Sequence, residues 1–189
     1  MPAQIIRIRA RFFVAVEGES EQSFVTWLQV LSEKELHIHL DGVPLGGGGF
    51  KSMLQKAVCL HKRHCRTRGA YQDRFLVVDS DRAEQGDWSI EKLRREAAQR
   101  KFTVCVQSPN HEGLLLRMMP GMERENPDAG SAQAKLKSQW PSYQKPMNAH
   151  ALSRQFSLED LLRVANVDSD LENILKRIGL IAGLRRLPY

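Results

Sequence analysis

The chain has 189 residues, of which 42% are hydrophobic, 26% charged and 7% aromatic, and its formal net charge is +6. This composition is typical of a globular protein, and it excludes collagen-like, mucin-like and wholly disordered chains. The sequence contains no run of about 20 apolar residues that could cross a bilayer, so we do not expect a membrane protein.

The N-terminal residues and the cysteines favour a cytoplasmic location. Arg7 and the two arginines that follow it interrupt the first apolar residues before the hydrophobic part of a secretory signal could form. The three cysteines are odd in number and include no CxxC pair, which suits reduced thiols better than a disulfide framework.

Strand and helix patterns alternate through the first 110 residues. In chain order, the pattern predicts a strand at 11–16, a helix through 24–31, a strand at 36–40, a turn at 41–42 and 46–49, a helix through 50–68, a strand at 74–78, a helix through 90–97 and a strand at 102–106. This alternation predicts an α/β fold with a mainly parallel four-stranded sheet flanked by helices.

The pattern changes after Leu114. Residues 119–144 are rich in Pro, Gly, Ser and Asn, and we expect a long loop or lid there. Ser157 is placed to cap a helix, and a second apolar stripe ends at Gly179. The predicted organisation is an α/β core at 11–117, a loop or lid segment at 118–156 and a small helical C-terminal extension at 157–189.

Acidic residues follow two of the predicted strands. Glu17 and Glu21 come after the first strand, and Asp79 and Asp81 come after the third. Ligands of α/β sheets bind at the carboxyl ends of strands, and clustered carboxylates need a cation such as Mg²⁺ or Mn²⁺ to compensate them. If the backbone stays extended, Asp79 and Asp81 point to the same side. The alternative is structural, since aspartate after a strand also forms turns and helix caps.

A basic stretch covers the second predicted helix. Its candidate nucleic-acid-binding residues are Lys51, Lys62, Arg63, Arg66 and Arg68. The positive charge of such a stretch attracts polyanions such as nucleic acid, because neutralising phosphates releases condensed counterions. An ordinary solvated helix face is the equally weighted alternative.

The order of these motifs resembles the Toprim domain of topoisomerases, bacterial primases and OLD-type nucleases. The resemblance is carried by VEGESE after the first strand, VPLGGGGF before the second helix and LVVDSD at the third strand, and it covers roughly residues 11–110. Further along, the segment SPNHEGLLL and the tripeptide YQK resemble those of RloB-like members. In this second part, Pro109 and Asn110 stand in the reverse of the family's order.

The resemblance implies a metal-dependent nuclease acting on DNA or RNA. It implies Glu17 as the acid/base glutamate, Asp79 and Asp81 as metal ligands, Glu112 as a further ligand and Lys145 as the residue that stabilises charge on the phosphate. It also implies a role in prokaryotic anti-phage defence beside an AAA-type or ABC-type ATPase, for which residues 180–189 would be a docking surface. The oligomeric state stays open.

Other functions compete with a nuclease. A catalytically inert nucleic-acid-binding or regulatory subunit would retain the fold, and a metal-dependent glycosyltransferase also holds Mn²⁺ with an Asp-x-Asp after a strand. The segment GGGGFKS departs from a phosphate-binding P-loop because Phe50 stands where that motif requires glycine. His61 and Cys65 are spaced to share a metal on a helix, but we favour a basic helix with a buried cysteine over a zinc site.

Overall fold

Four parallel strands form the centre of the fold. They are β1 (Ala10–Val16), β2 (Ile38–Pro44), β3 (Asp73–Asp79) and β4 (Thr103–Gln107), and their spatial order is β2-β1-β3-β4. The computed structural model describes residues 9–34, 36–85 and 88–181. The predicted α/β class is confirmed, and all three strand pairings are parallel, as in a Rossmann-like core.

Helices cover both faces of the sheet. They are α1 (Glu19–Glu33), α2 (Phe50–Arg68), α3 (Ile90–Gln99), α4 (His111–Arg117), α5 (Ala129–Gln139), α6 (Ala149–Gln155), α7 (Leu158–Ala165) and α8 (Ser169–Arg177), and a 3-10 helix spans Ser80–Gln85. Successive residues of β1 face opposite ways. Phe13 and Ala15 lie in the cluster with α2 and α3, whereas Phe12 and Val14 lie in the cluster with α1 and the later helices.

The second strand is longer than its sequence pattern predicts. Asp41 and Gly42, expected in a turn, lie within β2 and pair with β1. Asp41 is buried, and it accepts hydrogen bonds from Arg11 and from the hydroxyl of Tyr71. An Asp-Gly pair favours a turn only where the aspartate stays solvated, and here these tertiary partners satisfy its carboxylate inside the sheet.

The segment expected as a loop or lid contains two helices, α5 and α6. Leu136, Trp140 and Tyr143 are all buried, and Trp140 packs against Phe156. The prediction of a loop was wrong because eight buried apolar side chains between residues 118 and 156 anchor the segment to the main core, although most of its residues are polar.

The C-terminal helices occur as expected, and α8 packs against β4. Asp170 at the start of α8 accepts hydrogen bonds from Val106 N at 2.9 Å and from Arg94 at 2.6 Å. Residues 182–189, most of the expected docking surface, lie outside the described residues. Among the helices of the described ranges, none has the length and apolar character needed to cross a membrane. All three cysteines are free.

Candidate active site

An acidic pocket of about 410 Å³ lies at the carboxyl end of the sheet. From β1 the chain leads to β2 on one side, and β3 lies on the other side, so the direction of winding reverses between β1 and β3. Ligands of open α/β sheets bind at this kind of position. Glu17 follows β1, Asp79 ends β3, and both line the pocket.

Glu17 is buried and forms an ion pair with Arg82. Oε1 of Glu17 lies 2.7 Å from Nε and 2.6 Å from Nη2 of Arg82. Burial raises the pKa of Glu17, and the hydrogen bond and charge of Arg82 offset part of that rise. The other oxygen, Oε2, is buried without a hydrogen-bond partner among the described residues.

Asp79 lies in the most acidic surroundings of the pocket. Burial, followed by the charges of Glu21, Glu17, Asp81 and Glu112, raises the pKa of Asp79 to about 9. Its Oδ1 has no hydrogen-bond partner in the described part of the chain. A carboxyl group in this environment ionises at neutral pH only when a cation compensates it.

Asp81 belongs to the same acidic cluster, but its backbone conformation differs from the one that the sequence predicted. The backbone does not stay extended after Asp79, because the 3-10 helix starts at Ser80. Asp81 N donates to the carbonyl of Pro109 at 3.1 Å, and Ser80 Oγ donates to the same oxygen at 3.2 Å. Oδ1 of Asp81 is buried and, within the described ranges, unpartnered.

Glu112 enters the cluster from α4 and is held by two residues of the segment after α5. Its Oε1 lies 2.8 Å from Lys145 Nζ and accepts a hydrogen bond of 3.0 Å from the hydroxyl of Tyr143. Although burial opposes it, the hydrogen bond and charge of Lys145 lower the pKa of Glu112. Lys145 also lines the acidic pocket, where its positive charge would attract an anionic ligand.

Glu21 caps the helix that follows β1. Its Oε2 accepts a hydrogen bond of 2.9 Å from Gly18 N, and Glu21 itself is buried and lines the pocket. Its charge raises the pKa of Asp79, so it belongs to the same electrostatic cluster. The cap gives Glu21 a structural role in addition to any role as a ligand.

The carboxylates suit a hard divalent cation in chemistry but are not gathered as a finished metal site. Within the described residues, no group of three or more His, Cys, Asp or Glu side chains is arranged to hold a metal ion. Three buried carboxylate oxygens nevertheless lack partners, on Glu17, Asp79 and Asp81. Unpartnered buried carboxylate oxygens are costly, and oxygen donors are those that Mg²⁺ and Mn²⁺ prefer. On this observation the residues fit such an ion.

The glycine-rich loop forms one wall of the pocket. The amides of Gly46 and Gly47 each donate to the carbonyl of Glu17 at 3.1 Å. Lys56 Nζ donates to the carbonyls of Leu45 and Gly47 at 3.0 Å and so fastens the loop from α2. Gly46 and Gly47 have φ values of 71° and 69°, a region that favours glycine, which explains the composition of the loop.

The candidate nucleic-acid-binding residues lie along α2 and do not line the acidic pocket. Lys51, Lys62, Arg63, Arg66 and Arg68 are all exposed. Arg68 lies 3.3 Å from the carboxylate of Asp41, which ties it to the edge of the sheet. The other four form no ion pair with any described residue, so their charge faces solvent.

The sequence did not identify two polar residues at the site, Arg82 and His111. Arg82 follows the Asp-Ser-Asp motif directly, and its position was the signal that could have found it. His111, beside Glu112, is fully buried, and its Nδ1 lies 3.3 Å from Gln107 Nε2. Burial lowers the pKa of His111, so the ring is neutral at pH 7.

A comparison of the chain with protein-family models, with curated proteins and with solved structures finds no match. The features that point to a function are therefore the chemistry of the acidic pocket and the exposed basic residues of α2.

Proposed function

We propose that the protein is a metal-dependent nuclease of the Toprim type, which hydrolyses phosphodiester bonds in DNA or RNA. The observation that carries the proposal is the set of three buried, unpartnered carboxylate oxygens where the winding of the sheet reverses, on Glu17, Asp79 and Asp81. Buried carboxyl groups whose charges raise one another's pKa destabilise the fold, so a ligand that neutralises them is the simplest reason for their presence.

Asp79 and Asp81 are the residues that would hold the ion, and Glu17 also has a carboxylate oxygen without a described partner. A bound Mg²⁺ or Mn²⁺ would supply Lewis-acid stabilisation of the phosphate and a lower pKa for an attacking water. Glu112 and Glu21 add negative charge to the same cluster, but Lys145 and the amide of Gly18 already engage one oxygen of each.

Glu17 is suited to accept the proton of the attacking water. The new bond forms between that water's oxygen and phosphorus, the bond to the leaving oxygen breaks, and the proton passes to the carboxylate. Burial raises the pKa of Glu17 towards the range in which a carboxylate is an effective base, and Arg82 holds its orientation. Lys145 lines the pocket and would stabilise charge that develops on the phosphate oxygens.

The basic helix supports a nucleic acid as the substrate. α2 begins directly after the glycine-rich loop of the pocket, and its 19 residues extend about 28 Å at the usual rise per residue. Four exposed cations along it form no ion pairs in the described part of the chain. A phosphodiester backbone that enters the pocket can therefore continue along a surface of opposite charge.

A cleavage assay tests the proposal. The purified protein is incubated with single-stranded and double-stranded DNA and RNA, in Mg²⁺, Mn²⁺ or EDTA. We expect cleavage that needs the metal and falls by at least about 10²-fold in Asp79→Asn and Glu17→Gln. Glu125→Gln, which removes an exposed carboxylate outside the pocket, serves as the matched control and is expected to cleave like the wild type. Cleavage that persists in EDTA or in Asp79→Asn would contradict the proposal.

An inert nucleic-acid-binding subunit is the second candidate. The ion pairs of Arg82 with Glu17 and of Lys145 with Glu112 favour it, because protein cations already neutralise two of the carboxylates. Under this alternative, the wild type binds nucleic acid without cleaving it, and Glu17→Gln changes neither property. The ATPase partner belongs to the nuclease proposal, and cleavage that appears only when such a subunit is added would support it.

A further inference from the structure

A second pocket, of about 590 Å³, lies at the amino-terminal edge of the sheet. It is formed by the starts of β3 and β4 and the C-terminal half of α2, and no residue that lines it also lines the acidic pocket. The seven residues of β3 separate the two pockets by about 20 Å. Its volume is within the range of small-molecule sites.

The second pocket is positively charged. Arg74, Lys101 and Arg177 line it, and Asp73 is the acidic residue among its lining groups. Arg177 is paired with Asp73, at 2.6 Å from Nε to Oδ2. Neither Arg74 nor Lys101 forms an ion pair with an acid in the described ranges, so two cations remain without a counter-charge.

Arg74 is held in place by neutral groups. Its Nε donates to the carbonyl of Lys101 at 3.1 Å, its Nη1 lies 3.3 Å from His61 Nδ1, and its guanidinium lies over the ring of Phe102. Burial and the charge of Arg74 lower the pKa of His61, so its neutral ring can accept this hydrogen bond. The remaining N–H groups of a fixed guanidinium suit an oxyanion.

Lys101 occupies a backbone conformation that favours glycine. Its φ is 58°, the one positive φ of a non-glycine residue within the described residues. The hydrogen bonds from Lys101 N to Ala98 O and from Phe102 N to Ala97 O, both 2.9 Å, close the end of α3 in the way that usually places glycine here. A lysine at this position costs stability, and its residue lines the pocket without an ion-pair partner in the described ranges.

We propose that this second pocket binds a phosphorylated small molecule of about nucleotide size, with its phosphate held by Arg74, Lys101 and Arg177. Phosphate offers several acceptor oxygens and a double negative charge, which matches the uncompensated cations better than a carboxylate does. The ring of Tyr71 provides apolar surface for the organic part. The second pocket shares no lining residue with the acidic pocket.

Isothermal titration with adenosine monophosphate and with inorganic phosphate, in EDTA and at low salt, tests the proposal. We expect saturable binding of adenosine monophosphate that is tighter than the binding of inorganic phosphate. Equal binding of the two would contradict recognition of an organic part. Lys101→Gly and Arg74→Gln are each expected to weaken binding by about tenfold or more.

Two controls make the outcome decisive. Arg95→Ala removes an exposed cation of α3 outside the pocket, and Asp79→Asn alters the acidic pocket, and both are expected to bind like the wild type. Lys101→Gly is not expected to lower the Tm, because glycine fits that backbone. The proposal is overturned if neither ligand binds saturably up to about 10 mM. It is equally overturned if folded Lys101→Gly retains the wild-type affinity.

Discussion

Arg82 binds the carboxylate of Glu17 across the gap between the ends of β1 and β3, with both Nε and Nη2 within 2.7 Å of Oε1. The pair leaves the second carboxylate oxygen of Glu17 buried and without a described partner. The arginine therefore fixes the orientation of the glutamate.

Replacing Arg82 by glutamine is expected to lower the free energy of unfolding by about 1 kcal/mol at pH 8. The loss is modest because the arginine side chain is 38% exposed, and solvent screens the interaction. Urea denaturation measures it. In a Glu17→Gln background, the same replacement should cost much less, since the buried charge is gone. An equal loss in both backgrounds would show that the ion pair is not the cause.

Replacing Asp79 by asparagine is expected to raise the free energy of unfolding by about 1–2 kcal/mol at pH 8 without divalent metal, because the aspartate ionises freely in the unfolded chain but is held protonated among its acidic neighbours in the fold. The folded-state pKa of Asp79 is raised to about 9, so the wild type loses stability as the pH rises from about 4 towards 9. The advantage of the variant should therefore be smaller at pH 5. Thermal or urea unfolding at both pH values checks this, and a less stable Asp79→Asn would contradict it.

The contribution of Asp41 to the free energy of unfolding is expected to change with pH in the opposite direction from that of Asp79. Although burial opposes it, the hydrogen bonds of Tyr71 and Arg11 lower the pKa of Asp41 below 3.8. Its stabilising effect is therefore complete above about pH 4 and is lost as the pH falls through the lowered pKa. Asp41→Asn should cost about 2 kcal/mol at pH 7 and progressively less in stronger acid.

The control for Asp41 is Glu33→Gln. Glu33 forms an ion pair with Arg9 at 3.0 Å, but both side chains are more than 40% exposed. Its removal should change the free energy of unfolding by less than about 0.5 kcal/mol at either pH. A loss in Asp41→Asn that stays constant into strong acid would show that the charge of Asp41 does not stabilise the fold.

Gly113 allows α4 to approach the loop that holds Asp81. A Cβ at this position would lie 2.5 Å from Pro109 Cδ and 2.9 Å from Ser108 O. We expect Gly113→Ala to lower the free energy of unfolding by about 1–3 kcal/mol and to disturb the Pro109 carbonyl that binds Asp81 N. Gly130→Ala is the matched control, because the nearest atom to a Cβ there, Oδ1 of Asp128, lies 3.3 Å away. Equal stability of the two variants would contradict this account of Gly113.

The sheet and the acidic ends of its strands could be predicted from the sequence, because apolar runs and helical spacing are local signals. The continuation of β2 through Asp41 could not, since it depends on Arg11 and Tyr71, which are 30 residues away along the chain. The helices of the 118–156 segment escaped for a similar reason. Their stability depends on burying residues such as Leu136 against the core, which their polar composition does not reveal.

Part of the candidate site could likewise be predicted from the sequence, and part of it could not. Glu17 and Asp79 followed from position alone, since strand ends meet at one edge of a parallel sheet. Glu112 and Lys145 were suggested only by the family resemblance, and the structure places them 2.8 Å apart. Arg82 was missed because an ion pair between the ends of separate strands leaves no periodic trace in the sequence.

Calorimetric titration of the apoprotein with Mn²⁺ tests the central claim most directly. The claim is that the acidic pocket holds a divalent cation through Asp79 and its neighbours. We expect saturable binding to the wild type and to Glu125→Gln, and its loss in Asp79→Asn and in Asp81→Asn. Absence of binding to the wild type, or equal binding to folded Asp79→Asn, would contradict the account.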